Sequence, residues 1–305
     1  MTAVLQPEEI IRLSGEPPQV IVPNRSAVFA DRARRFDALA NGHALGDWLR
    51  LLGALSRAQH AALQAFPTMS MPVASQSLAH GMPPLLAQSW PRHEAWRDAL
   101  MTLLDACSAE VPPAGAAVLQ ALRAIPAQQL ETLADRVLRT ELYGEDAAAL
   151  PWVAAALQVY WTHMAIALGT EGIPPIDVPG VCPCCGFLPV ASVVRIGGDV
   201  AGLRYLHCAL CNTEWNCVRV KCTSCDGNSA VAYRQIAGSG GAIPAVRAET
   251  CDDCKSYLKI LYQDKAPDGD PVADDLATLA LDMLVDEAGY TRAGPNLLWV
   301  SGFSD

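Results

Sequence analysis

The chain has 305 residues, enough for about two domains and a sizeable core. Hydrophobic residues make up 51% of it, which excludes wholesale disorder. The net charge of −10 argues against a general binder of nucleic acid or of anionic membranes. The charge is unevenly spread, because residues 181–265 carry nine Lys/Arg and seven Asp/Glu, a net +2, and the remainder carries −12.

The N-terminal half has the pattern of a helical domain. Residues 1–23 are expected to form an irregular arm, because Pro17, Pro18 and Pro23 break any helix there. Residues 1–16 lack the basic segment and apolar run of a signal peptide, so we expect a cytoplasmic location. Residues 24–172 then place apolar side chains at helical spacing and predict a bundle. The expected helices lie near 24–42, 45–66, 93–107, 114–124 and 126–141.

Residues 147–169 contain no Asp, Glu, Lys or Arg. A run of this length must be tested as a membrane span, but it is rich in alanine and is not flanked by Lys/Arg clusters. It therefore favours a buried central helix of the bundle. We expect His163 on this helix to be a hydrogen-bonded core residue, and Cys107 on the apolar stripe of 93–107 to be a small buried hydrophobe.

A boundary at residues 172–180, rich in glycine and proline, separates this domain from a region with the pattern of strands. Two modules are expected there, at 181–221 and 222–265, and a C-terminal helix at 271–289. Within the modules, strands are expected at 187–196, 203–207, 214–221, 230–236 and 246–250. The apolar run at 256–262 fits either a strand or a helix.

Four Cys-x-x-Cys pairs lie within 73 residues of this region. The pairs are Cys182/Cys185, Cys208/Cys211, Cys222/Cys225 and Cys251/Cys254. A two-residue gap lets both thiols of a turn reach one ion, and a tetrahedral site for zinc or iron takes four thiolates. Eight paired cysteines therefore predict two closed metal sites.

Pairing in sequence order joins the first pair to the second and the third to the fourth. It gives C-x22-C and C-x25-C separations close to those of a metal ribbon. Nested pairing, with the two inner pairs together and the two outer pairs together, stays open. Gly186, Asn212 and Asp226 follow three of the pairs and tolerate the left-handed conformation that metal-binding turns use. Lys255 does not fit that pattern, so the fourth turn is the least certain of the four.

The metal sites can be structural staples, since small ribbons bury too little apolar area to fold alone. They can also be redox-responsive iron sites of rubredoxin type, as in an electron carrier, because four sulfurs suit either metal. We expect Cys184, inside the first turn, to be an exposed small residue. No catalytic motif is present, and sites closed by four thiolates leave no position for water. The protein is thus expected not to be an enzyme.

Basic and aromatic residues flank the metal-binding turns. They are Arg204, His207, Trp215, Arg219 and Lys221. In a nucleic-acid-binding ribbon such residues contact DNA or RNA. The acidic total and small basic excess argue against this function, so a cross-strand packing face or a protein-binding face is preferred.

Three runs in this region carry a resemblance to a known family. They read GLRYLHCALCNTEWNCVRVKC, AETCDDCKSYLKILYQDK and ADDLATLALDMLVDEAGY. With LGDWLR at 45–50 and the helix around Trp152 and Met164, the chain resembles the formate dehydrogenase accessory protein family, FdhE, over nearly its whole length. Asn216 departs from the His that often follows the Trp in this family, so no role for an imidazole is carried over there.

The resemblance implies a cytoplasmic protein that assembles respiratory formate dehydrogenases by binding their catalytic subunit before twin-arginine export. It also implies two rubredoxin-like iron sites, held by the eight paired cysteines, and no catalytic residue. Together with the patterns above, it predicts an α+β fold. An N-terminal all-helical bundle is followed by tandem rubredoxin-like or zinc-ribbon modules.

Overall fold

The computed structural model describes residues 17–71, 81–176, 178, 180–236 and 244–300. Helices occupy most of the N-terminal half, and one mixed sheet with two short helices occupies most of the rest. The bundle helices are α1 (Val28–Leu39), α2 (Gly46–Gln64), α3 (Ala95–Cys107), α4 (Pro113–Ala124), α5 (Ala127–Leu138) and α6 (Leu150–Leu168). The strands are β1 (Val20–Ile21), β2 (Pro189–Val194), β3 (Arg204–Cys208), β4 (Glu214–Asn216), β5 (Val231–Arg234), β6 (Val246–Cys251), β7 (Ser256–Tyr262) and β8 (Thr291–Arg292). The predicted α+β class is confirmed.

Helix α6 is the centre of the bundle. Every side chain from Trp152 to Ala165 is buried, as its apolar sequence predicts. It packs against α2, α3 and α5. No helix within the described ranges has both the length and the apolar character that a bilayer crossing requires.

Several polar groups inside the bundle are hydrogen-bonded, as buried polar groups usually are. Gln59 of α2 donates to the carbonyl oxygen of Ala155 and to the side chain of Gln158, both at 2.9 Å. His163 is buried and lies 3.0 Å from the Arg25 guanidinium through Nδ1. Cys107 is buried in the same core. The expected roles of His163 and Cys107 are confirmed.

The sheet has the strand order β1-β4-β3-β2-β7-β6-β5, with β8 beside β7. Strands β2, β3 and β4 form an antiparallel unit around the first two cysteine pairs, and β5, β6 and β7 form a second unit around the other two. Parallel pairing of β2 with β7, for example Ser192 with Ile260, fuses the two units into one sheet.

Three stretches differ from the sequence-based expectation. The strand expected at 214–221 ends at Asn216. Within the arm, Val20 and Ile21 form β1, because the strand pairs with β4 through Trp215 and Glu214. In the C-terminal stretch, a single helix was expected at 271–289, but it divides into α7 (Pro271–Leu276) and α8 (Leu279–Glu287).

The break between α7 and α8 is held by a buried lysine. Lys259 of β7 is 1% exposed and donates from Nζ to the carbonyl oxygens of Asp275 and Thr278, at 2.7 and 3.1 Å. A continuous helix needs the Asp275 carbonyl for its own ladder. The same oxygen also accepts from the amide of Thr278 at 3.2 Å, so the chain closes a tight turn here and the lysine bonds the carbonyl oxygens at the break.

Helix α7 ties the sheet to the bundle. The side chain of Asp270 caps its first turn by accepting from the amides of Val272 and Ala273. The same carboxylate accepts from Arg32 of α1 at 3.1 Å, and Asp274 accepts from Arg35 at 2.8 Å. The two halves of the described chain are thus joined by charged contacts, most of which are buried.

Candidate metal centres

The structure brings the paired cysteines together in two groups, in sequence order. Within the described residues, these two groups are the clusters of His, Cys, Asp or Glu side chains whose ligand atoms lie close enough together to hold a metal ion. The first site contains Cys182, Cys185, Cys208 and Cys211, and the second contains Cys222, Cys225, Cys251 and Cys254. All eight are free thiols, not disulfides.

The spacing of the sulfurs fits a four-coordinate ion. In the first site Sγ of Cys182 lies 3.6 Å from that of Cys211, and Cys185 lies 3.5 Å from Cys208. The corresponding distances in the second site are 3.6 and 3.7 Å. A tetrahedron with metal–sulfur bonds of about 2.3 Å has edges of about 3.8 Å. Either zinc or iron would fit this set of four thiolates.

Each cysteine pair lies in a tight turn that ends in a residue with a left-handed backbone conformation. The residues after the four pairs, Gly186, Asn212, Asp226 and Lys255, have φ of +70°, +58°, +63° and +56°. The expectation that Lys255 departs from this pattern is wrong. Its amide bonds the carbonyl oxygen of Cys251 at 2.9 Å, and this turn geometry outweighs the usual steric cost of the conformation.

Backbone amides point at the sulfurs from these turns. The amides of Leu210 and Cys211 lie 3.4 Å from Sγ of Cys208, and the amide of Ser224 lies 3.4 Å from Sγ of Cys222. Such N–H groups stabilise negative charge on sulfur. The turns are therefore arranged for thiolates.

The first site is sealed between the bundle and the sheet. All four of its cysteines are 0% exposed. The amides of Leu85 and Ala87 donate to the carbonyl oxygens of Cys184 and Cys185, at 3.0 and 2.9 Å. On the other turn, Gln158 of α6 donates to the carbonyl oxygen of Ala209 at 2.8 Å. Solvent has no direct path to these sulfurs.

Burial also argues for a cation at the first site. It raises the pKa of the Cys182 and Cys185 thiols well above their ordinary range, because water cannot solvate their thiolates. Several thiolates can share this space only with a positive charge among them. The donor set and its surroundings thus fit a bound metal ion.

Cys184 corrects an expectation. It was expected to be exposed, but it is 0% exposed. The chain from Leu85 to Ala87 covers this turn and excludes water from it. A fifth thiol therefore lies beside the first site.

The second site is open on one side. Cys225 and Cys254 are exposed, whereas Cys222 and Cys251 are 5% and 2% exposed. Partial burial opposes ionisation of Cys254, but hydrogen bonds from the hydroxyl and amide of Ser256 lower its pKa to about 7. The second cysteine of each turn thus forms an accessible edge.

Sequence reasoning missed a polar network beside the first site. Asn212 donates to the Thr162 hydroxyl at 2.8 Å and its side-chain oxygen accepts from His207 at 3.1 Å. His207 in turn bonds Glu214, which also accepts from Arg195 at 2.8 Å. Burial opposes ionisation of Glu214, but the charge of Arg195 and the hydrogen bond with His207 lower its pKa. The sequence signal for this network was the pair His207 and Glu214, seven residues apart on two strands that could be expected to pair.

The basic and aromatic residues around the turns do not form one face. Arg204 and His207 are buried, and Trp215 is 7% exposed. Arg219 and Lys221 lie on the linker between the sites, where Arg219 is exposed. The set therefore mixes interior packing with one exposed segment.

Comparison with known proteins agrees with this arrangement. Three family models match consecutive parts of the chain: "FdhE, N-terminal" at residues 17–176, "FdhE, central domain" at 181–219 and "FdhE, C-terminal domain" at 220–299. The chain belongs to the FdhE family. The resemblance inferred from the sequence is confirmed.

Curated FdhE relatives match over most of the chain. The Protein FdhE homolog of Pseudomonas aeruginosa is 39% identical over 305 residues, covering 98% of each chain. That of Edwardsiella ictaluri is 41% identical, covering 91% of this chain and 90% of the relative. Protein FdhE of Escherichia coli is 37% identical, covering 92% and 90%.

A solved structure supports the fold. The crystal structure of the FdhE protein from Pseudomonas aeruginosa superposes with a TM-score of 0.81 at 37% identity. It covers 94% of this chain and 100% of that one. Mixed helix and sheet with two four-cysteine groups is therefore the architecture of an FdhE-family protein.

Proposed function

We propose that this protein is an accessory factor, not an enzyme, that binds the catalytic subunit of formate dehydrogenase during its assembly. Membership of the FdhE family, a family of formate dehydrogenase accessory proteins, is the observation that carries the proposal. The two cysteine sites support it, because four thiolates close a coordination sphere and leave no position for substrate or water.

The eight paired cysteines would hold two ions, for which we propose iron, with zinc as the alternative metal. The ions neutralise the clustered thiolates and fix the turns that carry them. The first site then anchors the sheet to the bundle, and the second holds the outer strands. With both ions bound, the protein is a rigid scaffold for a protein partner. We propose that it works in the cytoplasm.

Co-purification tests the proposal. A tagged form of this protein and the formate dehydrogenase catalytic subunit are expressed together, and the tag is used for capture without oxygen. Recovery of the subunit is expected with the wild type. The double variant Cys222→Ser/Cys225→Ser is expected to recover less, because one site is lost. Failure of the wild type to retain the subunit would overturn the proposal.

A second candidate function is electron transfer through iron. The exposed edge formed by Cys225 and Cys254 favours it, because electrons reach an outside partner through accessible ligands. It predicts an iron–thiolate absorption band that bleaches reversibly on reduction. A protein that stays colourless after iron loading without oxygen would exclude this function.

A further inference from the structure

The linker between the two metal sites carries an exposed apolar surface. Val218 and Val220 on the linker are 67% and 50% exposed, and Val178 on the preceding connection is 56% exposed. Val178 and Val218 line a groove of about 260 Å³. Its other apolar lining residues include Ile176 and Trp215. We call Val178, Val218 and Val220 the valine surface.

Val220 holds a backbone conformation that valine avoids. Its φ is +62°, in the left-handed region, where a β-branched side chain crowds its own backbone. Half of the side chain is exposed, so packing inside this chain does not account for its presence. Strained residues persist where their surroundings fix them, and they concentrate at binding sites. The strained backbone at Val220 therefore favours a binding role for the linker.

A buried arginine fixes the linker from below. Nη1 of Arg204 donates to the carbonyl oxygens of Lys221 and Val218, at 2.9 and 3.3 Å. Arg204 is 1% exposed, and its Nη2 donates to Glu249 at 2.7 Å. Both ends of the turn around Val220 are thus tied to the sheet. The valine surface is preformed, which lowers the entropy lost when a partner binds.

The linker also carries surplus positive charge. Lys221 pairs with Asp226 at 2.6 Å. Arg219 is exposed and makes a 3.4 Å hydrogen bond to the carbonyl oxygen of Gly202, with no carboxylate partner among the described residues. A guanidinium without a carboxylate partner, beside exposed valines, suits an apolar segment that carries a carboxylate.

We propose that the valine surface, together with Arg219, binds an apolar segment of the partner that carries an acidic residue. This inference rests on the proposed function, since it takes the formate dehydrogenase catalytic subunit as that partner. It assigns the contact to the linker between the metal sites. The sites then serve as the two fixed ends of a binding segment.

The first test removes the valine side chains and relieves the strain at the same time. In Val218→Ser/Val220→Gly, glycine adopts a positive φ without steric cost. The melting temperature is therefore expected to stay the same or rise. The Kd for purified catalytic subunit, measured without oxygen, is expected to increase at least about tenfold, because two apolar contacts are lost.

The matched control changes an equally exposed surface elsewhere. Met283 and Leu284 on the outer face of α8 are 66% and 52% exposed. Met283→Ser/Leu284→Ser removes a similar apolar area and is expected to leave the Kd unchanged. A control that loses binding while the valine variant keeps it would overturn the proposal.

A charge reversal gives a second, independent measurement if the valine variant folds poorly. Arg219→Glu is expected to weaken binding about tenfold, and Arg34→Glu, on the exposed face of α1, is expected to have no effect. If the wild type binds the subunit and neither linker variant weakens it, the valine surface is rejected and the accessory function stands. If the wild type does not bind, both proposals fall together.

Discussion

The guanidinium of Arg32, on the first helix of the bundle, donates a 2.7 Å hydrogen bond to the side chain of Asn212. Asn212 is the residue after Cys211, and its left-handed conformation completes the second turn of the first site. Arg32 is 0% exposed and also pairs with Asp270. Arg32 therefore links the first site to the bundle, in addition to the backbone and Gln158 contacts described above.

Replacing Arg32 with Met should destabilise the protein by about 3 kcal/mol. The change leaves Asp270 without its buried cation and removes one of the two donors to the Asn212 side-chain oxygen, and unpaired buried groups are costly. Denaturation by urea, with metal bound, measures the free energy of unfolding. Arg34→Met is the matched control, because Arg34 and Asp31 form an exposed pair and should contribute less than about 1 kcal/mol. Equal losses of stability in the two variants would contradict a stabilising role for the Arg32 contacts.

Metal removal should occur in two phases. A chelator reaches the second site through Cys225 and Cys254, whereas the four sulfurs of the first site are buried. Release of the two ions, followed by a metal-sensitive dye, is expected to show one fast and one slow phase. Cys222→Ser/Cys225→Ser should abolish the fast phase. The control Cys217→Ser changes a cysteine outside both groups and should keep both phases. A single phase in the wild type would argue against the difference in access.

Stability should fall as pH drops below neutrality, in part because of His163. Burial and then the Arg25 charge lower its pKa to about 4, from an ordinary 6.5. Between these values the unfolded state binds a proton that the folded state does not, so acid favours unfolding. The free energy of unfolding should fall less in His163→Gln than in the wild type, between pH 7.5 and pH 5.5. Identical pH dependence in the two proteins would refute this assignment.

Lys259→Met should cost about 3 kcal/mol of stability. Lys259 pairs with Asp275 at 3.3 Å, and Asp275 is 1% exposed. Burial opposes ionisation of Asp275, but Arg292 and Lys259 lower its pKa, so the carboxylate is charged and needs its partners. Thermal unfolding compares it with Lys265→Met, whose exposed pair with Asp264 should contribute little. A loss under about 1 kcal/mol at Lys259 would show that Arg292 and Asn296 satisfy Asp275 without the lysine.

The sequence predicted the parts of the fold that depend on local pattern. Helix α6 is apolar on every face, and a helix without a polar face has to lie inside the bundle. The cysteine pairs were equally clear, because two-residue spacing and four thiols per ion leave few arrangements.

Long-range contacts were not predictable in this way. The parallel pairing of β2 with β7 joins strands more than 60 residues apart, and neither strand carries a local signal for it. Lys259 lies in an apolar run, and only its distant carboxylate partners explain its burial. Cys184 was misjudged for the same reason, since the chain that covers it comes from residues 85–87 of the helical half.

Metal content, measured together with the absorption spectrum of protein purified without oxygen, tests the central claim most directly. Two irons per chain and an iron–thiolate band in the visible spectrum are the predicted result. Two zinc ions would keep the eight-cysteine assignment and contradict the proposal of iron. A folded protein with no bound metal and all eight paired cysteines reactive as free thiols would contradict the account itself.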